Sequence, residues 1–553
     1  REALHSITGK SSDRLSFFEQ DKVAELLGYK DADELMLNIA QSARTVDYLS
    51  ETVFHRFDQY RPGANLFSFK GRGSNDEKVT EIAKGVGIYR GEVVITGDLE
   101  IDPLILLRAA ASAAQRGIPL SIDSCKLAKE KLNSFPEPWP REAREDFVAL
   151  LGAGNAMAQV WEALDQAELT QILIPEWNRI RSLPQRNALH RHTVDRHMVE
   201  TALHASLLTR QVHRPDLLLV SALLHDMGKG LPGDHSIIGA EIIKPILQRM
   251  GFSENDVSIV ETLVMHHLLL ATVATRRDLD DLTTINSVCE LISDPLTIEL
   301  LHALSISDGQ ATGNTAWSNW KASLVADLVN RVKKQISGVG LPPQPEFSES
   351  EKDLAKSGEI HLSLIKRDEI TELLIIAPDR PGLLSIVAGF LTISRLNVRS
   401  ARTRTFANSA VMRWLVLPDV YAPDISESAL KQSLIQTLNG ELDIAEKMKE
   451  RASSYRSASP IPVPPPIVEV IHDGATEATV LDVRSHDQIG LLYLLGKAVT
   501  EAGVDVRAAI VSTLGAEACD SLYITEVDGR PLDPKRALAV AQSIEQQLRA
   551  NKI

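Results

Sequence analysis

Near the C-terminus two stretches repeat each other at a constant spacing, and no other feature restricts the fold as much. The first runs I-I-A-P-D-R-P-G-L-L-S-I-V-A-G-F-L-T-I-S-R-L-N-V-R-S-A-R-T-R-T. The second runs L-D-V-R-S-H-D-Q-I-G-L-L-Y-L-L-G-K-A-V-T-E-A-G-V-D-V-R-A-A-I-V-S-T. Asp379 aligns with Asp487, Gly382 with Gly490, Val398 with Val506 and Arg399 with Arg507, each pair 108 residues apart. A fixed offset means a duplicated unit. Each copy reads as a strand, a D-x-x-G-L-L turn, a helix, a strand of alternating polarity and a further strand, the beginning of a small βαββαβ sandwich. In the turn, Pro381 suits the first turn of a helix and Gly382 lets backbone approach a ligand. The free N–H groups there can hold a carboxylate.

The chain ahead of the repeat has helical spacing. Residues 1–60 carry apolar residues three and four apart, with Gly28 as a stop and Asp31 as a cap. Residues 61–85 read as a loop, Gly87–Gly97 as a short hairpin, and Pro103–Arg116 as an alanine-rich helix. Two segments, Ser337–Ser350 and Ser457–Ile467, have linker composition, and P-I-P-V-P-P-P in the second favours a stiff polyproline II spacer. These boundaries predict a helical segment at 1–140, a helical domain at 141–336, a linker at 337–367, one sandwich at 368–450, a proline-rich linker at 451–474 and a second sandwich at 475–553. The chain of 553 residues is long enough for several cores.

Residues 150–335 hold most of the 15 histidines, and this clustering points to a site. At its centre is S-A-L-L-H-D-M-G-K-G, residues 221–230, where an apolar run delivers His225 and Asp226 and breaks at Gly228. A nitrogen donor beside a hard oxygen donor suits a divalent cation. Adjacent helical positions diverge by about 100°, so both reach one ion only from a helix end. The other candidates are His197, His235, His266, His267 and Asp308, with His267 favoured over its neighbour. Lys229 beside such an ion can bind a phosphate oxygen. His190 and His192, with Arg181, Arg186 and Arg191, read as contacts for a substrate anion or as surface.

The ordered set of His197, His225-Asp226 and Asp308 resembles the HD phosphohydrolase superfamily. The resemblance implies an all-α domain in which His197, His225, Asp226 and Asp308 bind a divalent metal. Mg²⁺ or Mn²⁺ are the leading candidates and Fe²⁺ or Zn²⁺ the others. His225, Asp226, Lys229, His235 and His267 are then the catalytic candidates. The duplicated turns resemble the ACT domain, a module that binds free amino acids. That likeness puts Asp379, Gly382 and Asn397 of the first copy, and Asp487, Gly490 and Asp505 of the second, against an amino-acid ligand.

The order of an HD domain and two ACT domains is itself specific. Together with P-Q-R-N-A-L-H-R-H-T-V-D-R-H, H-D-M-G-K-G-L-P-G-D-H-S-I-I-G-A and S-D-G-Q-A-T-G-N-T-A-W-S-N-W-K, it resembles the PII-protein uridylyltransferase/uridylyl-removing enzymes of actinobacterial type. The implied fold is a multidomain one: an all-α scaffold and an all-α HD domain, then two α+β ACT domains. The implied activity is metal-dependent hydrolysis of a nucleotidyl group, UMP or AMP, from a tyrosine of the PII signal protein, controlled by L-glutamine. The family's transferase step needs a Gly-Ser motif and an Asp-x-Asp pair, and residues 1–140 show neither. The chain opens at Arg1 and is expected to be a fragment that keeps the removing step, with the full-length protein also uridylylating PII.

Two other readings remain open at this point. One is an HD hydrolase of a free nucleotide; the other is a metal-less glutamine-sensing regulator. A net charge of −15 argues against a general binder of nucleic acid or of an anionic membrane. Three widely spaced cysteines fit a reducing cytoplasm, and no apolar run of the sequence is expected to span a bilayer.

Overall fold

A computed structural model of the chain describes residues 1–60, 78–185, 191–313, 316–339, 346–367, 370–419, 426–454, 465–472, 474–514 and 517–550. The chain forms two compact units. The first comprises Arg1–Leu268 and Asp294–Ser318, the second Leu269–Ser293 and Asn319–Ile553.

The first unit is helical apart from one small sheet of β1 (Thr80–Ala83), β2 (Val86–Tyr89) and β3 (Glu92–Ile95), in that order. β2 and β3 form the hairpin expected over Gly87–Gly97, turned by Arg90 and Gly91, both at positive φ. β1 adds a strand inside the segment read as a loop, where T-E-I-A alternates too briefly to stand out. Helix Phe17–Leu27 stops at Gly28 (φ 78), and the Asp31 carboxylate accepts the Glu34 N–H at 2.9 Å. Phe135, Trp139, Phe147, Trp161 and Trp177 form a run of edge-on and tilted ring contacts through this core.

One arginine ties three helices of this unit together. Arg44, on helix Ala32–Tyr60, donates to Glu162 and Asp165 on helix Asn155–Gln166 and to Asp195 on helix Val194–Ser206, with closest distances of 2.8 Å. Asp165 and Asp195 are buried. Desolvation disfavours the charged form of Arg44, yet the three carboxylates outweigh it and raise its pKa. Such a cation holds carboxylates that would otherwise be buried alone.

The second unit is built on eight antiparallel strands: β4 (His361–Arg367), β5 (Ile370–Pro378), β6 (Leu396–Phe406), β7 (Ser409–Pro418), β8 (Ile467–Ile471), β9 (Thr479–His486), β10 (Val504–Leu514) and β11 (Glu517–Glu526). Their order is β4-β5-β7-β6-β10-β11-β9-β8. β6 and β10 meet at the centre, where Ala401 pairs with Ala509, its own counterpart 108 residues on. The sheet is thus a pseudo-twofold arrangement of the duplicated unit. Helices Leu383–Ile393 and Leu491–Glu501 pack against each other, and Ser385 Oγ donates to the carbonyl of Tyr493, again a pair 108 apart.

Each copy runs ββαββα, which corrects the expected βαββαβ order. The edge strand comes first, as β4 and as β8, and the helices Glu427–Leu438 and Pro534–Ala550 follow the last strand; the first copy adds one more helix, Ile444–Ser454. In such a sandwich the ends of the chain lie side by side, so the edge place can be filled from either terminus. The two leading strands fall in segments read as linkers, because H-L-S-L-I-K-R and I-V-E-V-I are short and follow stretches rich in proline and serine. Most of the Pro-rich stretch itself lies outside the described residues.

The second unit also includes helices Leu269–Arg276, Leu282–Leu291 and Asn319–Ile336. The first of them packs on β10 and β11. Just after it, Arg277 donates to both oxygens of Asp482 at 2.7 and 2.8 Å, and Arg402 is ion-paired with Asp278 and Asp280. By length and composition one stretch, Glu254–Arg276, could cross a bilayer, contrary to the sequence expectation. It is interrupted by a turn at 266–268, and Val257, Val260, Leu263, Val264, Leu270 and Ala274 along it are buried.

Replacing Arg44 with methionine is expected to lower stability by about 3–5 kcal/mol, measured by urea unfolding, because it leaves the buried Asp195 without a cation and Asp165 with Arg181 alone. Arg44→Lys should lose less.

Candidate functional site

The apolar helix Pro215–Leu224 is buried along its length from Leu217 and opens with proline at its first turn. A helix that is hydrophobic all round belongs in a core. It ends at Leu224, and His225 and Asp226 follow in the turn, where neighbouring side chains can converge. A Cβ on Gly228 would sit 2.0 Å from the carbonyl oxygen of His235, so only glycine lets helix His235–Arg249 pass this close. Asp234 caps that helix by accepting the Ser236 N–H at 2.8 Å, and this bond helps hold its carboxyl below the usual range.

These elements bring the predicted ligands together. His197 Nε2 lies 3.0 Å from Asp308 Oδ1 and 3.6 Å from Asp226 Oδ2. His225 Nε2 is 3.3 Å from Asp226 Oδ2 and 3.7 Å from Asp308 Oδ1. On the other side of Asp226, His235 Nε2 and His267 Nε2 each stand 3.7 Å from Oδ1. Two groups of metal-ligating geometry result, His197–His225–Asp226 and Asp226–His235–His267, and they share the Asp226 carboxylate. His225 and His267 turn their Nδ1 atoms to the carbonyls of Ala222 (3.0 Å) and Val264 (2.7 Å), which aims both Nε2 atoms inward. His266 is absent from both groups.

His197, His225, Asp226 and His267 are buried, whereas His235 and Asp308 are partly exposed. Burial works against charge on His225, yet Asp226 and Asp308 outweigh it and raise its pKa. The same carboxylates, also against burial, are held well below their usual range. Burial first, and then the charge on His225, lowers His267. The centre is therefore a pair of carboxylates demanding positive charge. His225 Nε2 and Asp226 Oδ1 are buried with no hydrogen-bond partner, as donor atoms for an ion would be.

Lys229 completes the ring, with Nζ 2.7 Å from Asp226 Oδ2 and 2.7 Å from Gln185 Oε1. Arg179, which sequence reasoning passed over, donates to the carbonyls of Met227 and Lys229 and so fixes the turn. Its contacts lie some 50 residues away and leave no local signal. Arg181 is spent on Asp165, 2.8 Å away, as part of the Arg44 cluster. His192 is half-buried, and burial lowers its pKa. His190 and Arg186 lie outside the described residues.

In the second unit the six predicted amino-acid contacts separate into two sets. Asn397, Asp487 and Gly490 line one cavity of about 390 Å³. Asp379, Gly382 and Asp505 gather around the other turn, where the Gly382 backbone faces the Asp505 carboxylate and Thr405 Oγ1 donates to Asp379 Oδ2 at 2.5 Å.

Comparison with known proteins places the chain. A family model described as HD domain matches residues 194–292, and one described as GlnD PII-uridylyltransferase matches residues 1–54. A protein of Streptomyces coelicolor named bifunctional uridylyltransferase/uridylyl-removing enzyme is 40% identical over 99% of this chain and 73% of its own length. The chain belongs to that family. A Mycobacterium tuberculosis protein of the same name is 37% identical over 98% of this chain and 69% of its own. Another from Ruegeria pomeroyi is 26% identical over 99% and 69%. Membership makes the chain an enzyme, with a helical HD domain and sheet-bearing C-terminal structure. The HD match spans His197, His225, Asp226, Lys229, His235 and His267 and ends before Asp308.

The purified chain is expected to retain a divalent metal through gel filtration, and Asp226→Asn, which weakens the carboxylate shared by both groups, is expected to lose it. Elemental analysis of the two proteins checks this.

Proposed function

We propose that this chain hydrolyses the phosphodiester joining a nucleotide, UMP or AMP, to a tyrosine of the PII signal protein, and that its C-terminal unit senses glutamine. The observation that carries the hydrolytic reading is the buried Asp226, shared by two ligand groups and bearing an unpartnered oxygen. Family membership supplies the substrate class.

His197, His225, Asp226 and Asp308 would hold the divalent ion. The donor set of neutral imidazoles and hard carboxylates fits Mg²⁺, Mn²⁺, Fe²⁺ or Zn²⁺. When bound, such an ion supplies Lewis-acid polarisation of a phosphoryl oxygen and a water of lowered pKa. The chain's own groups do the rest. Lys229, at the rim, pairs with a non-bridging phosphate oxygen. His235 lies on the accessible side of the cluster and holds a proton for the leaving tyrosine oxygen as the P–O bond breaks and water's oxygen bonds to phosphorus. Burial of His225, Asp226 and His267 keeps bulk water from competing.

The C-terminal unit is read as two ACT-type copies whose turns bind the amino-acid effector. The cavity at Asn397, Asp487 and Gly490 supports this, since helix N-terminal N–H groups suit a carboxylate. We place the reaction in the cytoplasm, consistent with three unpaired cysteines.

With nucleotidylated PII as substrate, Asp226→Asn is expected to reduce hydrolysis by about 100-fold or more, and undiminished release of nucleoside monophosphate would overturn the reading. Running UMP- and AMP-modified PII side by side identifies the nucleotide.

A further inference from the structure

The duplication offers two pseudo-equivalent sites, each built from the turn of one copy and the central strand of the other. At the first, the chain fills its own site. The Gly382 backbone, where a ligand carboxylate would dock, already faces the Asp505 carboxylate. Around it Thr405 binds Asp379, and Arg507 donates to Thr405 and Thr525 at 3.3 Å each.

The second site is open. Its cavity of about 390 Å³ is lined by Asn397, Arg399, Asp487, Gly490, Thr513 and Asp520. Asn397 stands where the other site has Asp505, and Asp520 stands where the first copy has Met412, 108 residues earlier. Asp520 pairs with Val511 across β10–β11, and Ser400 pairs with Ile510 across β6–β10. Arg399, next to Ser400 at a bulge in β6, lines the same cavity as Val511 and Asp520. Two side-chain atoms of this group are buried without a hydrogen-bond partner, Arg399 Nε and Asp520 Oδ2. Buried polar atoms are almost always satisfied, so this donor and this acceptor, on two side chains that line one cavity, point to the ligand group that would meet them.

A guanidinium N–H calls for a carbonyl oxygen and an Asp oxygen calls for an N–H. A primary carboxamide presents both on one carbon. A carboxylate would satisfy Arg399 but meet Asp520 as a like charge; an ammonium group would do the reverse. We propose that Arg399 and Asp520 are the specificity-determining pair of a single effector site and select a carboxamide side chain over its carboxylate analogue. The proposal rests on the reading that this unit senses an amino acid, and adds how it tells glutamine from glutamate.

Burial raises Asp520 to about 7, so titration calorimetry on the whole chain is best run at about pH 8, where its carboxylate is charged. The wild-type chain is expected to bind L-glutamine at least about tenfold more tightly than L-glutamate. Asp520→Asn, nearly isosteric, should narrow that ratio by about tenfold, and Arg399→Gln should weaken glutamine by a similar factor. Unchanged thermal melting of both variants excludes misfolding. Glutamine binding to all three proteins with an unmoved glutamine-to-glutamate ratio would overturn the role of the pair while leaving amino-acid sensing intact. Failure of the wild-type chain to bind either ligand would overturn both.

Discussion

Two carboxylates in one small space, the buried Asp226 and the largely enclosed Asp308, set the terms for the first unit. Each repels the other and each has left water, so positive charge must be brought to them and kept there. Lys229 and the raised pKa of His225 are the chain's response, within a ring of four imidazoles. That response depends on scaffolding some distance away. Helix Pro215–Leu224 must be apolar all round to carry the pair into the core, and Gly228 must lack a side chain for His235 to arrive. The helix bearing His197 is moored two residues earlier, at Asp195, to Arg44.

What could be read from the sequence followed from how local each signal was. The His225-Asp226 pair announced itself through two adjacent residues and a hydrophobic approach, and the duplicated turns through a constant offset. His197 and Asp308 were found by order along the chain, and the fold sets them 3.0 Å apart. The Arg44 cluster left no trace, since its partners are 118 to 151 residues away and charged residues are common on any helix. Arg179 and Gln185 went unnoticed for the same reason. The leading edge strands β4 and β8 were missed on other grounds: short alternating runs beside prolines carry the composition of a linker, and only pairing with β5 and β9 makes them strands.

The two halves of the sheet show how a duplicated backbone diverges. Strand register and helix placement are kept so closely that Ala401 still faces Ala509. The differences lie in side chains. Where one copy has Asn397 the other has Asp505, and that single carboxylate turns a receptive turn into a satisfied one. Asp520 in place of Met412 does the opposite, adding an unmet polar atom to an interior wall.

The path of the chain between its compact units has a further consequence. It leaves the first unit one residue after His267, returns at Asp294 to supply Asp308, and leaves again after Ser318. Helix Leu269–Arg276 therefore packs on the sheet and helix Asn319–Ile336 packs on that helix in turn, although both lie upstream of the linker. A gene cut at that linker would yield a fragment in which the first of these helices is stripped of the strands it covers. The joint between the two units is in this sense a weave, which end-to-end recombination of modules could neither make nor undo in one step.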